Sequence, residues 1–483
     1  KYNRINRGFD FAAKNPLQDQ IDSGFALDLR GGLLFAGVNG QPRGGYNPDR
    51  QTWQPRLGFA WRLFNKTVLR GGYGLYVQGS SQLDTQAGFS RSTPFIGSID
   101  SVKPALEYNT LENPYPRGLL APSGSRDALL SLAGFGFSFD DPNRRLPKTH
   151  QVSLGVQREL PSRILLDVSY VGSRTYKLAV GKSINEISAD QLKLGGTVLN
   201  KQIRNPFFGV LPLEAPLGRT TTVAQSQLMR PYPQFQGITM NAYSVGHSWY
   251  NSLQGKLEKR FSHGLTFISS YTYSRNMEQA SYLNAQDDDL PRELVSFDRT
   301  HRLALSGLWD LPVGRRRWLL AETRAWVDAL LGGWQFNWIG NFQSGVPTSY
   351  PGGAELTGIN PTLPNGQQTF DRWFDNRKAS NLQAALDAQV PFYNRPSFTL
   401  RRTPLRFPNI RNHYAPQINL SLFKNMRFNE QWSGQFRVES FNVTNTPIFP
   451  GPNTDINSGN FGKVTLNQIN FPRHIQVAMK LRF

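Results

Sequence analysis

The 483 residues contain no cysteine, which excludes disulfides, thiolate metal sites and a cysteine nucleophile. No run of about 18 apolar residues occurs, so the chain encodes no membrane-spanning helix. Histidine is scarce. The six residues His150, His247, His263, His301, His413 and His474 never fall within five positions of one another, and no histidine-based metal motif results. The G-x-S-x-G, Walker A and G-x-G-x-x-G patterns are also missing. No catalytic, cofactor or metal residue is assigned, and the chain does not read as an enzyme. The chain opens on Lys1 without a charged-then-apolar leader, so it reads as processed or truncated at its front.

Acidic residues are in the minority, 34 Asp and Glu against 54 Lys and Arg, for a net charge of +20. Nucleic-acid binding needs a concentrated basic patch. The basic residues are instead spread along the chain, and their densest cluster is only Arg315, Arg316 and Arg317. Nucleic acid is therefore set aside as a partner. Dispersed positive charge equally suits anionic headgroups or an anionic solute. The run Asp287, Asp288, Asp289 lacks the spacing of a calcium loop and reads as a solvated loop. The stretch "FDRTH" from Phe297 to His301 brings acid, base and imidazole together without a nucleophile, and reads as a salt-bridged loop anchor.

What the chain does contain is alternation. Counting back from the end, Phe483, Leu481, Met479, Val477 and Ile475 are apolar, while Arg482, Lys480, Ala478, Gln476 and His474 lie between them. Successive side chains on a strand point to opposite faces, so one face here is oily and the other wet. The same pattern recurs in "PRLGFAWRLF", "TVLRGGYGLYV", "QVSLGVQREL", "ILLDVSYVGS", "WYNSLQGKLEKRF", "LTFISSYTYS", "HRLALSGLWDL", "WQFNWIGNFQSG", "QINLSLFKNMRF" and "WSGQFRVESFNV". About eleven strands of about ten residues follow, the length that crosses a bilayer at a tilt.

The connections alternate as well. Those at 64–66, 160–162, 262–263 and 428–431 are tight turns. Those at 78–147, 174–248, 275–299, 346–415 and 444–472 are long and rich in Gly, Pro, Asn and Asp. Outer-membrane barrels have this asymmetry, with short periplasmic turns and long external loops. One intermediate connection at 312–332 carries helical spacing, giving a short helix near 317–331, read as packed on the turns rather than lying in lipid. The predicted fold class is all-β, a transmembrane antiparallel up-and-down β-barrel.

Without water in a bilayer, only helices or closed sheets can cross it. The apolar face must then point outward. Arg70, Gln254, Lys256, Glu258, Arg437, Glu439, Lys480 and Arg482 all take the polar face. Aromatic residues gather at strand ends, as interfacial girdles require. Phe64, Phe261, Trp309, Trp334, Trp432 and Phe483 lie towards the turns, and Trp249, Tyr170, Tyr271 and Tyr273 towards the loops. The loop aromatics Tyr232, Phe235, Tyr350, Phe370, Trp373, Phe374 and Tyr393 either stack on a ligand or pack the loops together. Their spacing does not choose between the two.

The segments "PRLGFAWRL", "VSYVGSRTYKL", "YNSLQGKLEKRFSHGLTFISSYTYSRN", "FDRTHRLALSGLWDLPVG", "LGGWQFNWIGNFQSGVP", "VESFNVTNTPIF" and "RHIQVAMKLRF", in this order, resemble the C-terminal barrel of Oar-like TonB-dependent receptors. The resemblance runs from about Trp53 to Phe483. It implies a 22-stranded barrel with an N-terminal plug and a TonB-contacting segment. Residues 1–483 would be the C-terminal portion of that barrel, lacking the plug and first strands. Phe483, Leu481, Met479, Val477 and Ile475 match the family's signal for the barrel-assembly machinery. The implied partners are outer-membrane lipid, that machinery, TonB through the missing region, and an unknown solute. The implied function is uptake of the solute through a plugged barrel in the bacterial outer membrane. An adhesion or secretion platform, a passive porin and a soluble basic β-protein are the rival readings.

Overall fold

The computed structural model describes residues 5–79, 87–93, 95, 110–115, 118–364 and 366–483. Eleven strands form one continuous wall: β1 (Arg56–Phe64), β2 (Thr67–Val77), β3 (Lys148–Leu160), β4 (Ile164–Ser183), β5 (Ile238–Ser262), β6 (Leu265–Gln279), β7 (His301–Asp310), β8 (Trp334–Gln343), β9 (Gln417–Arg427), β10 (Ser433–Phe441) and β11 (His474–Arg482). Each pairs antiparallel with its neighbour in sequence, with no crossover, which is the up-and-down meander of an outer-membrane barrel. β1 and β11 stand at the two edges and do not meet, so the wall is an open arc. A short strand, Phe137–Asp140, adds parallel to the far end of β5, and Glu293–Leu294 adds to β6.

Tight turns join β1 to β2, β3 to β4, β5 to β6 and β9 to β10, all at one end of the wall. At His263–Gly264 the φ angles are 52° and 76°, the both-positive pattern of a type I′ hairpin, whose twist matches that of the flanking strands. Long connections occupy the other end. β4 and β5 run for 20 and 25 residues, well beyond the ten or so that lipid requires. Their extra length forms a ribbon on the loop side, with register shifts near Tyr243 and Gly246. Alternation fades there because water, unlike lipid, does not require an apolar face.

Partners in an antiparallel ladder share a face, so the register sorts every side chain. Leu154 faces Tyr170, Tyr170 faces Leu253, and Leu253 faces Tyr273, making an apolar row across four strands. One residue along, Gln254 faces Ser169 and Thr272, and Lys256 faces Asp167 and Ser270, on the polar side. Slipping by a single residue would exchange these rows and put charge into lipid. Leu154 remains 52% exposed although strands flank it on both sides. The interior of this wall is therefore not its hydrophobic core.

The packed cores lie in the loops instead. One gathers Phe9, Leu29, Phe139, Phe207 and Phe235 from the hairpin Asn6–Lys14/Arg30–Phe35 and the loops flanking β3 and β4, with Ile238 at the start of β5. The other gathers Tyr350, Phe374, Phe392, Phe407, Ile456 and Phe461 from the last two long loops. Phe235 and Phe374 are completely buried, so the loop aromatics pack the loops together.

The β7–β8 connection contains a helix, α1 (Ala325–Leu331), at the C-terminal end of the expected stretch. Residues before it form an irregular turn closed by a Val313–Leu319 bridge. The expected packing of this helix on the turns is not what the structure shows, because no residue of α1 is buried.

Candidate functional site

Three surfaces deserve a chemical reading: the lumen-side face of the wall, the long loops above it, and the lipid-side face. On the lumen side, Lys256 donates to Glu258 at 2.8 Å, and the Arg437 guanidinium lies 4.7 Å from the centre of the Phe423 ring. Several apolar side chains interrupt this polar face, among them Val171, Leu308 and Phe423. Two others, Ile268 and Ile339, are aligned through Ser306 between them, and both are exposed.

The loops are fastened to the wall by partly buried ion pairs. Arg406 donates to Glu278 at 2.8 Å and to the Leu294 carbonyl at 2.7 Å. The Leu405 amide donates to Glu293 at 2.8 Å. Burial pushes the Glu293 carboxyl above its ordinary value, against the opposing pull of the Leu405 amide and Arg406. Asp298 is buried, accepts the Asn276 amide at 2.8 Å, and lies 2.8 Å from Arg411. Arg299 donates to the Ser344 carbonyl, and Tyr271 pairs with the His301 imidazole at 2.8 Å. The Phe297–His301 stretch is thus a loop anchor by geometry. In the second loop core Asp375 is held between Arg372 and Arg377. Burial works to raise its carboxyl, but the hydrogen bonds from Arg377 and Arg372 prevail and hold it below the usual range. Of the acidic run, Asp287 accepts the Asn284 amide and Asp288 pairs with Lys182 at 3.2 Å. Among the described residues no group of three potential metal ligands assembles.

A cavity of about 210 Å³ opens in the first loop cluster, lined by Leu17, Leu130, Leu132 and Phe135 together with Arg91 and Asp127. The Arg91 guanidinium lies 5.2 Å from the Phe135 ring centre, and its Nε is buried with no hydrogen-bond partner. The lining carries one charge of each sign, so it does not select the charge of a ligand.

On the lipid side, Ile475, Val477, Met479 and Leu481 project outward from the edge strand β11, each at least 50% exposed. They align with Ser440, Val438, Phe436 and Gly434 of β10. Phe483 lies past the strand end with its ring 5.3 Å from Trp432, at the turn-side rim. At the loop-side rim a ladder of rings crosses four strands. Tyr73 bonds His150 at 2.8 Å, His150 packs edge-on to Tyr176, Tyr176 to His247, and His247 stacks on Trp249. Arg292 covers Trp249 from the loop above. Weighing the histidines only as metal ligands overlooks this ladder. Their parity with Val152 and Leu154 on the outward face is the signal that finds it.

An antiparallel wall, greasy on one face and hydrated on the other, with aromatic rims, tight turns at one end and packed loops at the other, defines an integral outer-membrane β-barrel protein. The profile of the outer membrane beta barrel domain matches residues 1–476, and the chain belongs to that family, placing it in the bacterial outer membrane. No curated protein matches it. Among solved structures it is similar to the outer membrane transporter YddB from Escherichia coli, with a TM-score of 0.43 at 9% identity, covering 89% of this chain and 40% of that one. It is similar also to the siderophore receptor PirA from Acinetobacter baumannii (0.37, 10%, 89% and 41%). A third is the pyoverdine receptor FpvA from Pseudomonas aeruginosa (0.37, 10%, 89% and 36%). The chain spans less than half the length of each of these proteins.

Proposed function

We infer that these residues are part of a TonB-dependent receptor of the Oar-like kind, which binds a solute on its external loops and admits it through a plugged barrel. The observation carrying this reading is the wall itself, an eleven-strand arc whose edge strands β1 and β11 are unpaired. Open edges are not viable in hydrocarbon, and in this reading further strands close the ring. Eleven is half of the 22 strands that enclose a plugged lumen in large outer-membrane transporters. The exposed lumen-side residues Ile268 and Ile339 offer apolar contact to a body filling that lumen, which a water-filled porin would not need.

Phe483, Leu481, Met479, Val477 and Ile475 serve in this reading as the signal for the barrel-assembly machinery, consistent with their outward placement on an edge strand. Replacing Phe483 with Ala should lower the fraction of protein that reaches the outer membrane in heat-modifiable, folded form. The transport reading is tested by uptake of labelled solutes into cells carrying the full-length protein, with and without TonB. Uptake that ignores TonB would leave the porin. No uptake of any solute, with surface binding retained, would favour an adhesion or secretion platform, a reading to which the two solid loop cores also lend themselves.

A further inference from the structure

Among the described residues the β7–β8 connection is the only one on the turn side that is not tight, and its surface is unlike the others. Trp318, Leu319, Leu320, Trp326, Leu330 and Leu331 are all exposed, Trp318 by 83%. Arg315, Arg316, Arg317 and Arg324 are exposed beside them. In water such a segment is costly, since it presents six large apolar side chains without covering any of them.

Its attachment shows where it sits. Trp334 lies on the outward face of β8, two and four residues before the outward Phe336 and Trp338. The Trp334 indole donates to the Leu330 carbonyl at 3.0 Å. Lys424 pairs with Trp334 on the same outward face, lies over its ring at 5.6 Å, and donates to the Gly332 carbonyl. Both fasteners reach the C-terminal end of α1 from the lipid side of the wall, not from the lumen. At the other end, the Arg315 amide donates to Asp328 at 2.6 Å, which ties the tri-arginine turn back onto the helix. The whole connection is therefore pinned at the foot of the lipid-facing surface, level with the turn-side aromatic rim formed by Trp309, Trp334 and Trp432.

We propose that residues 315–331 form an interfacial foot that lies in the inner leaflet of the outer membrane. Its Trp and Leu side chains enter the boundary between headgroups and acyl chains, and its arginines meet phosphate groups of anionic phospholipids. Tryptophan is the residue best suited to that boundary, and an apolar face flanked by arginine is the composition of interfacial segments. Charge complementarity points to lipid: the segment carries four arginines against two carboxylates, and one of the two, Asp328, is already engaged by the Arg315 amide. The arginines make no ion pair among the described residues. The surface is continuous with wall that already faces acyl chains, so no second protein is needed to cover it. The foot would hold the barrel at a fixed depth and tilt from the periplasmic side.

These 483 residues contain no cysteine, and any cysteine elsewhere in the full-length protein is first replaced with serine. Single-cysteine variants of the full-length protein, Trp326→Cys and Leu330→Cys, carry a nitroxide label after reconstitution into vesicles of phosphatidylethanolamine and phosphatidylglycerol. Leu154→Cys on the wall and Asn457→Cys in an external loop supply the lipid and water references. Heat-modifiable mobility verifies that each variant is folded. Labels at 326 and 330 should collide with oxygen in preference to a water-soluble nickel chelate, several-fold over the Asn457→Cys reference. Replacing Arg315, Arg316, Arg317 and Arg324 together with Gln, or omitting phosphatidylglycerol, should move that ratio towards the water value. Labels as nickel-accessible as the loop reference overturn the proposal. Labels exposed in vesicles but shielded in native outer membranes overturn it too, in favour of a protein partner. Neither readout depends on transport, so the foot can fail while the receptor reading stands.

Discussion

Replacing Leu154 with arginine puts the lipid-facing assignment at risk in one step. Leu154 is the central residue of β3, six positions from either end of Lys148–Leu160. Six residues at about 3.4 Å each span about 20 Å along the strand. At a tilt of about 40° that is roughly 15 Å of height, half of a hydrocarbon core about 30 Å thick. The side chain thus lies near the midplane, where a lipid-facing arginine costs about 2–4 kcal/mol. That cost lowers the folding equilibrium by a factor between roughly 30 and 700. The adjacent Ser153 pairs with Gly72 and Val171 and points into the lumen. Arginine there meets water and should cost within about 0.5 kcal/mol of nothing. Reversible urea unfolding of the full-length protein in lipid vesicles, followed by tryptophan fluorescence, measures both. Equal costs at 153 and 154, or a larger one at 153, would refute the claim that odd and even residues of this strand see different solvents.

Further consequences concern the loops. Asp298→Ala removes the carboxylate from Arg411, which keeps its bonds to the Asp298 carbonyl and Thr300, and leaves the Asn276 amide without an acceptor, a loss of about 1–3 kcal/mol. Faster protease cleavage within 280–300 and 344–416, with the wall intact, would register it. At Gly345 a Cβ would lie 1.9 Å from the Asn412 carbonyl oxygen, so Gly345→Ala forces backbone movement costing about 1–3 kcal/mol. The same cleavage assay reads that change. Glu293 has its pKa raised in the folded loops, so the folded state holds its proton over a window where the unfolded chain has lost it. Its contribution to stability therefore falls as pH rises through that window and is recovered on acidification. Glu293→Gln should protect the loops at neutral pH and remove this part of the pH response. Asp375 behaves oppositely. Its depressed pKa gives stability that is present at neutral pH and lost as pH falls through the folded value, so Asp375→Asn should abolish an acid-side loosening of the second loop core.

The division between what could be read from the sequence and what could not follows the solvent each residue meets. Lipid imposes a rule on every position of a strand, because a wrong-face charge costs kilocalories at the midplane. That is why Leu154, Val156, Val168 and Tyr170 announce both their strands and their register, and why all eleven wall strands can be found by counting in twos. The rule lapses where water begins. The upper parts of β4 and β5, with their bulges near Tyr243 and Gly246, carry no such pattern, and the pairing of 174–183 with the start of β5 beyond the expected ends goes unseen. The loops are held by contacts between residues far apart in the chain. Phe9 stacks near Phe139 and packs edge-on to Phe235, and Asn284 bonds the Arg401 backbone. No local period encodes such pairs, so the loop aromatics could be noticed but not assigned. The helix near 317–331 shows the third case. Its apolar spacing was legible, but spacing states only that a face must be covered, not by what. A protein core and a headgroup layer satisfy Trp326 and Leu330 alike, and only the bonds from Trp334 and Lys424, which approach from the lipid side, separate the two.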